Sequence, residues 1–415
     1  MARLNKIAVF GLAVAAGAQG VAYAQAQPDN QNVRERRQSE YDPTGLPVGS
    51  FRFYPSLTGI VETNSNVFAT ATNEIDDVAY LVSAQGKLVS QWSQHKLNLQ
   101  ATIDDTSYSD LSSEDDFAWN AGADAAIDIA RGTRLEGNLF YIDSYEARGE
   151  NDPPNLVEPI NYQDMQGALA LSHEFNRVKV TASAAASEID FEDGALIGGG
   201  VFDQDFRDRT QTEAGLRGDF ALSPDAALFV SYAQRWTDYD TSNRDYDRQR
   251  ALAGAAFDLT NVLQGEVGVG YSWVSFDNPA FGDYDGFSMR GALDWFVTRI
   301  TTVNLSADRD IADSGDPSVG SSSKVVTNYA VRVDHELQRN VILWVRGGWG
   351  TEDYKGIDRE DDITTASAGA DWLINRWAAV RGRYTHAERD TSGAQARALG
   401  DYDQDRWTLG LTLRR

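Results

Sequence analysis

The chain has 415 residues, with 62 acidic against 37 basic side chains and a formal net charge of −25. Hydrophobic residues make up 42% of it, aromatic ones 11%, and it has no cysteine. A charge this negative excludes a nucleic-acid binder, which needs clustered Lys and Arg. Without cysteine there is no disulfide framework, thiol catalysis or thiolate metal site. No apolar run reaches the roughly 20 residues of a membrane-spanning helix, and the aromatic content is too high for a disordered chain.

Residues 1–24 read as an export signal. Arg3 and Lys6 precede a short apolar stretch from Ile7 to Ala18, and Ala22-Tyr23-Ala24 supplies the small residues of a cleavage site, with a cut after Ala26 as the alternative. Residues 25–48 are polar and hold Pro28, Pro43 and Pro47 beside Arg34, Arg36 and Arg37. They carry neither helical nor strand period, and are expected to form a periplasmic linker or tail. The segment is too short for a plug domain or periplasmic repeats.

From Ser50 onward, apolar and polar residues alternate in segments of about ten, the pattern of strands with one face in lipid. Lys96-Leu97-Asn98-Leu99-Gln100-Ala101-Thr102-Ile103 and Trp407-Thr408-Leu409-Gly410-Leu411-Thr412-Leu413 are clean cases. Short turns fall at residues 92–95, 130–133, 175–177, 223–226, 261–262, 298–299, 338–340 and 375–376. Longer polar stretches lie between them, at residues 63–77, 104–116, 146–161, 190–209, 238–247, 277–286, 309–322, 351–361 and 388–401. Alternating short and long connections predict an all-β fold: a single transmembrane antiparallel β-barrel over residues 49–415, with about eighteen strands and both termini periplasmic. A soluble sandwich or propeller has no reason to sort its connections this way. Trp119, Tyr141, Tyr232, Trp236, Tyr271, Trp273, Trp295, Trp349, Trp372 and Trp407 fall near strand ends, where amphipathic rings meet a membrane interface.

The acidic excess is expected in the long loops, for example Asp104, Asp105, Asp110, Glu114, Asp115 and Asp116, or Glu352, Asp353, Asp358, Glu360, Asp361 and Asp362. Such loops stay solvated, or bind divalent cations that bridge lipopolysaccharide. The short turns carry Arg131, Arg177, Arg299, Arg339 and Arg376 instead. Counting the alternation inward, the lumen-lining candidates are Arg332, Arg346, Arg381, Arg383, Arg406, Glu213, Asp294, Asp308, Asp334 and Glu336, with Glu136, Arg217, Asp219, Glu266, Arg290 and Asp371 beside them. The five arginines named first are expected on one wall. Two readings stand: a transverse field that sets selectivity, or charges that pair and fill the barrel.

Catalysis has little support. His95, His173, His335 and His386 are scattered, and no Gly-x-Ser-x-Gly elbow, His-Glu-x-x-His helix or phosphate loop occurs. The expectation is no enzyme and no cofactor.

Tyr41-Asp42-Pro43-Thr44-Gly45 leads into Gly49-Ser50-Phe51, then Pro55-Ser56-Leu57 and Asn66-Val67-Phe68. This run resembles the opening segment and first strand of an outer-membrane β-barrel porin family often found with exopolysaccharide synthesis and export genes. The specific match covers roughly residues 34–70. The resemblance implies an outer-membrane pore, with polysaccharide exit as one use, and it carries over no catalytic residue. The expectation is therefore a monomer in outer-membrane lipid and lipopolysaccharide. It would conduct extracellular polysaccharide or polar solute, with a separate periplasmic export partner docking on residues 25–48. A general diffusion porin and a closed structural or adhesive barrel are the alternatives.

Overall fold

The computed structural model describes residues 32–415 other than 37, 150–155, 242, 260–261, 315–320, 322 and 397–399. The export signal expected over residues 1–24 lies outside the described residues. The chain is built almost wholly of strands. A short β1 (Leu46–Val48) precedes β2 (Phe51–Asn64), β3 (Asp77–Ser90), β4 (Lys96–Tyr108), β5 (Asp116–Ala130), β6 (Thr133–Tyr145), β7 (Asn161–Phe175) and β8 (Val178–Phe191). The small hairpin β9 (Gly194–Ala195) and β10 (Val201–Phe202) interrupts the series. It resumes with β11 (Arg209–Ser223), β12 (Ala226–Tyr239), β13 (Tyr246–Leu259), β14 (Leu263–Phe276), β15 (Tyr284–Thr298) and β16 (Thr301–Asp313). The last five are β17 (Ser323–Gln338), β18 (Val341–Tyr354), β19 (Glu360–Leu373), β20 (Ala378–Ser392) and β21 (Tyr402–Arg414).

Each long strand pairs antiparallel with its neighbour, and β21 returns to β2 through Ser56↔Arg414 to Asn64↔Arg406. The 19-stranded sheet is thus a ring of eighteen closed on itself, with three-residue β1 added to the start of β2. Closure removes every edge, which backbone groups in lipid require. Tight turns and longer loops alternate as expected, and β2 begins and β21 ends at the tight-turn end.

The pleat sorts the side chains. On β4, Leu99 and Ile103 are exposed while Thr102 and Thr106, in the opposite register, are buried. Exposed aromatics form two belts: Tyr80, Trp119, Trp236, Trp273, Trp349 and Trp407 toward the loops, and Trp92, Trp295, Trp372 and Trp377 toward the turns. Exposed apolar positions in one register and polar ones in the other are what a lipid outside and water inside select.

Two expectations need correction. Strands run 13 to 16 residues, longer than the roughly 10 that a bilayer needs, so they continue past it at the loop end. Asp104, Glu352 and Asp361, read as loop acids, therefore lie within strands on the inner face, and Glu352 and Asp361 are buried there. Asp361 holds Arg359 and Arg389, each at 2.7 Å, and Glu352 holds Arg389 at 2.8 Å and Lys324 at 2.9 Å. Their charge serves ion pairing inside the wall rather than loop solvation. The sheet also begins earlier than residue 49, because Leu46↔Phe53 and Val48↔Phe51 already pair. Gly45 makes this hairpin feasible: its φ of +66° suits glycine, and a Cβ there would lie 2.7 Å from the Arg52 side chain.

Strand ends and loops pack on each other at the loop end. Leu156, Ile160, Tyr162 and Phe191 form one buried cluster, and Tyr239, Tyr246, Val274, Phe276, Ile311 and Val325 another. Arg207 pairs with Glu146 and stacks 3.7 Å from the Phe191 ring, while Arg148 pairs with Glu114 at 2.8 Å. Asn66 of the Asn-Val-Phe run is fully buried and ties the first loop to β21, donating to the Thr70 carbonyl at 2.9 Å and the Asp403 carbonyl at 3.1 Å.

Candidate functional site

The lumen is the candidate site, and its walls follow from the register. Asp294 lies opposite Asn304, Asn304 opposite Arg332, Arg332 opposite Arg346, Arg346 opposite Ser367, Ser367 opposite Thr385, and Thr385 opposite Arg406. These residues form one unbroken cross-strand row. Barrel strands tilt by about 40°, so a row along the hydrogen-bond direction climbs the wall. Arg332 lies toward the turn end of β17 and Arg406 toward the loop end of β21. Ser367 and Thr385 touch through their hydroxyls at 3.1 Å. Halfway round the ring from β17 and β18, β6 and β7 carry Glu136 and Asp164 in the inward register.

Most of the candidate charges are paired. Arg332 chelates Asp334 at 2.8 to 3.0 Å, and its guanidinium lies 4.4 Å from the ring of Trp344, which points inward and is buried. Glu213 binds Arg235 at 2.7 Å and Arg248 at 3.5 Å. Arg217 bridges Asp219 and Glu266, both at 2.7 Å, and Arg290 meets Asp308 at 3.4 Å. Arg381 pairs with Asp371, Asn304 donates to Asp294, and Arg383 reaches Glu62 at 3.7 Å and Thr408 at 3.4 Å. Arg346 and Arg406 make no ion pair among the described residues. The wall thus combines paired charges with guanidinia that take no ion-pair partner among the described residues.

Two segments enter the lumen. The first is the tail. Val33 is fully buried and donates its backbone N–H to Thr302 Oγ1 at 3.3 Å. Arg34 donates to Asn304 Oδ1 at 3.3 Å and lies 3.4 Å from Asp334, which is fully buried. Arg36 pairs with Glu336 at 2.9 Å and donates to the Arg299 carbonyl. Further on, Arg376 donates to the Ser39 carbonyl at 3.1 Å and Arg414 to that of Tyr41 at 3.2 Å. The tail therefore crosses the tight-turn mouth on the inside. Arg34 and Arg36 were expected to await an export partner; in the structure they are engaged by the barrel itself, because Asp334 and Glu336 offer carboxylates within reach.

The second segment is the described outer part of the β16–β17 hairpin, Asp310 to Asp313 with the start of β17. The β15–β16 ladder stops at Met289↔Arg309, yet the β16–β17 ladder continues to Asp313↔Ser323. Beyond Arg309 the hairpin leaves the wall. Asp310 reaches Arg248 on β13 at 2.7 Å, Arg250 at 3.3 Å and Ser272 on β14 at 2.8 Å. Arg250 fills the gap, donating to Ser288 Oγ at 2.8 Å and the Met289 carbonyl at 3.1 Å. The sequence reading missed Arg235, Arg248 and Arg250, although strict alternation puts all three inward. The bend at Arg309 has no local sequence signal.

Among the described residues, one group of carboxylates gathers in the manner of metal ligands. Asp193, Asp203 and Asp205 bring carboxylate oxygens within 4.8 Å of one another, but all three are exposed and only clustered. The histidines serve the outer face and turns, as in His335 on Thr301 at 2.9 Å and His386 on Asp405 at 2.9 Å.

No curated protein matches the sequence. Among solved structures, OpdK of Pseudomonas aeruginosa with vanillate aligns at 13% identity and a TM-score of 0.46, over 88% of this chain and 99% of that one. A BenF-like porin from Pseudomonas fluorescens Pf-5 aligns at 10% and 0.48, over 89% and 100%, and OccAB4 of Acinetobacter baumannii at 10% and 0.47, over 92% and 100%. The sequence profile of the family described as Putative beta-barrel porin 2 matches residues 38–415. The chain belongs to that family, and is a porin-type channel barrel of the outer membrane rather than an enzyme.

Proposed function

We propose that the protein passes small polar solutes bearing anionic groups along the row from Arg332 to Arg406, through a lumen that the tail and the β16–β17 hairpin keep narrow. The register that sets Arg332, Arg346, Ser367, Thr385 and Arg406 in one climbing line carries the reading. A solute can exchange one donor for the next without leaving the wall. The tight-turn end faces the periplasm in this reading, after removal of residues 1–24 as an export signal.

The experiment is planar-bilayer conductance of the refolded protein, with reversal potentials in a salt gradient. The expected result is a small, anion-preferring conductance, with the preference falling severalfold in Arg346→Gln and Arg406→Gln. A large conductance indifferent to both changes would mean general diffusion. Export of a polysaccharide chain, the finer use suggested by the family resemblance, requires both inserts to withdraw; it predicts silence until residues 32–42 are removed or a partner is added. Silence in every variant would mean a filled, structural barrel.

A further inference from the structure

We infer that the tight-turn mouth holds an oxyanion site built jointly by the tail and the wall, from Arg34, Arg332 and Arg346. Two guanidinia share one carboxylate there, with a third set beside them. Asp334 is fully buried and already accepts Arg332 at 2.8 Å, with Arg34 at 3.4 Å. Arg346 stands directly opposite Arg332 in the ladder, on the same inner face. Like charges directly opposite on a sheet repel, so this pair is kept at a cost unless an anion joins it. Arg346 is exposed to the lumen and takes no carboxylate among the described residues. Asp371, the next acid on β19, is taken by Arg381. The site therefore carries surplus positive charge, open on the lumen side and backed by the buried Trp344 ring, against which Arg332 is stacked.

The geometry selects the ligand class. Planar guanidinia fixed by a carboxylate and a ring present paired N–H donors to a carboxylate or phosphate oxygen pair, and offer a neutral sugar much less. The tail belongs to the site because Arg34 is held there by Asn304 at 3.3 Å as well as by Asp334. Its removal should weaken oxyanion binding, whereas a tail that acted only as a stopper would leave affinity unchanged. This inference deepens the channel reading and rests on it only for access to the lumen.

The test uses succinate and inorganic phosphate as separate probes, with sucrose as the neutral control. Titration calorimetry on the refolded, detergent-solubilised protein reads binding whether or not the pore conducts, and bilayer recordings read current block. Expected are binding and block by at least one oxyanion, weakened about tenfold in Arg346→Gln and in Arg34→Gln, as loss of a charge-assisted hydrogen bond implies. Arg346→Lys should keep part of the affinity. Whichever probe binds more tightly tells a carboxylate ligand from a phosphate one. Heat-modifiable gel migration confirms that each variant is folded. Absence of heat with both probes, equal affinity in wild type and Arg346→Gln, or equal block by sucrose would overturn the site. Binding without conductance would overturn the channel reading and leave the site standing.

Discussion

Asp208 stands where the loops after β8 and β12 meet. It accepts the Phe191 backbone N–H at 2.8 Å through its side chain, and its carbonyl accepts that of Asp240 at 3.0 Å. Burial, with Asp190, Asp205 and Asp240 close by, pushes its carboxyl up to about 6, against the opposing pull of the Phe191 N–H. The sign follows from proton counting. Between the ordinary value of 3.8 and about 6, the folded loops hold a proton that an unfolded chain has released, so stability falls as pH rises through that window. Above it the penalty is complete. The loop cluster should therefore resist protease better at pH 5 than at pH 7. Asp208→Asn, which keeps the acceptor oxygen and removes the charge, should lift resistance at pH 7 to the pH 5 level. Limited proteolysis with mass mapping of the β8–β11 loop checks both. An unchanged pH dependence in the variant would assign the effect elsewhere.

At the scale of elements, the β16–β17 hairpin is the part whose behaviour departs from the wall. Its docking depends on Asp310 facing Arg248 and Arg250, both mostly buried. Asp310→Ala strips both guanidinia of that carboxylate, and breaking such a buried pair costs about 3–5 kcal/mol. The ring is held by long ladders on either side, so the loss should fall on the hairpin. Conductance should rise and become noisier while the folded migration on gels persists. The wall was legible in the sequence because lipid and water impose opposite demands on alternate residues, as Leu99 and Thr102 show. Arg332, Arg346 and Arg406 share one inner-face register by the same count. The hairpin's departure was not legible, since Asp310 looks like any solvated loop acid until Arg248, far along the chain, is seen beside it. Glu352 and Asp361 misled for a related reason: polar residues on a strand that outruns the bilayer resemble a loop. The tail's route was hidden too, because Arg34 and Arg36 carry no sign of which carboxylates they will meet.

The barrel is a closed ring, and its first and last long strands form the seam. Removing residues 32–42 should leave that seam intact, because Ser56↔Arg414 through Asn64↔Arg406 lie outside the tail. Far-ultraviolet circular dichroism and heat-modifiability should be unchanged, while conductance rises and anion preference falls with the loss of Arg34. The tail's own contacts have a different dependence. They reach Thr302 on β16 and Asp334 on β17, and then Arg376 before β20 and Arg414 on β21, about four strands further round, so the full set exists only once β21 has taken its place beside β2. Membrane assembly therefore carries its own clock. While the final strand is still free, Arg34 and Arg36 stay open to trypsin, and they become shielded when the circle is complete, so the time course of their protection during insertion dates the moment of closure.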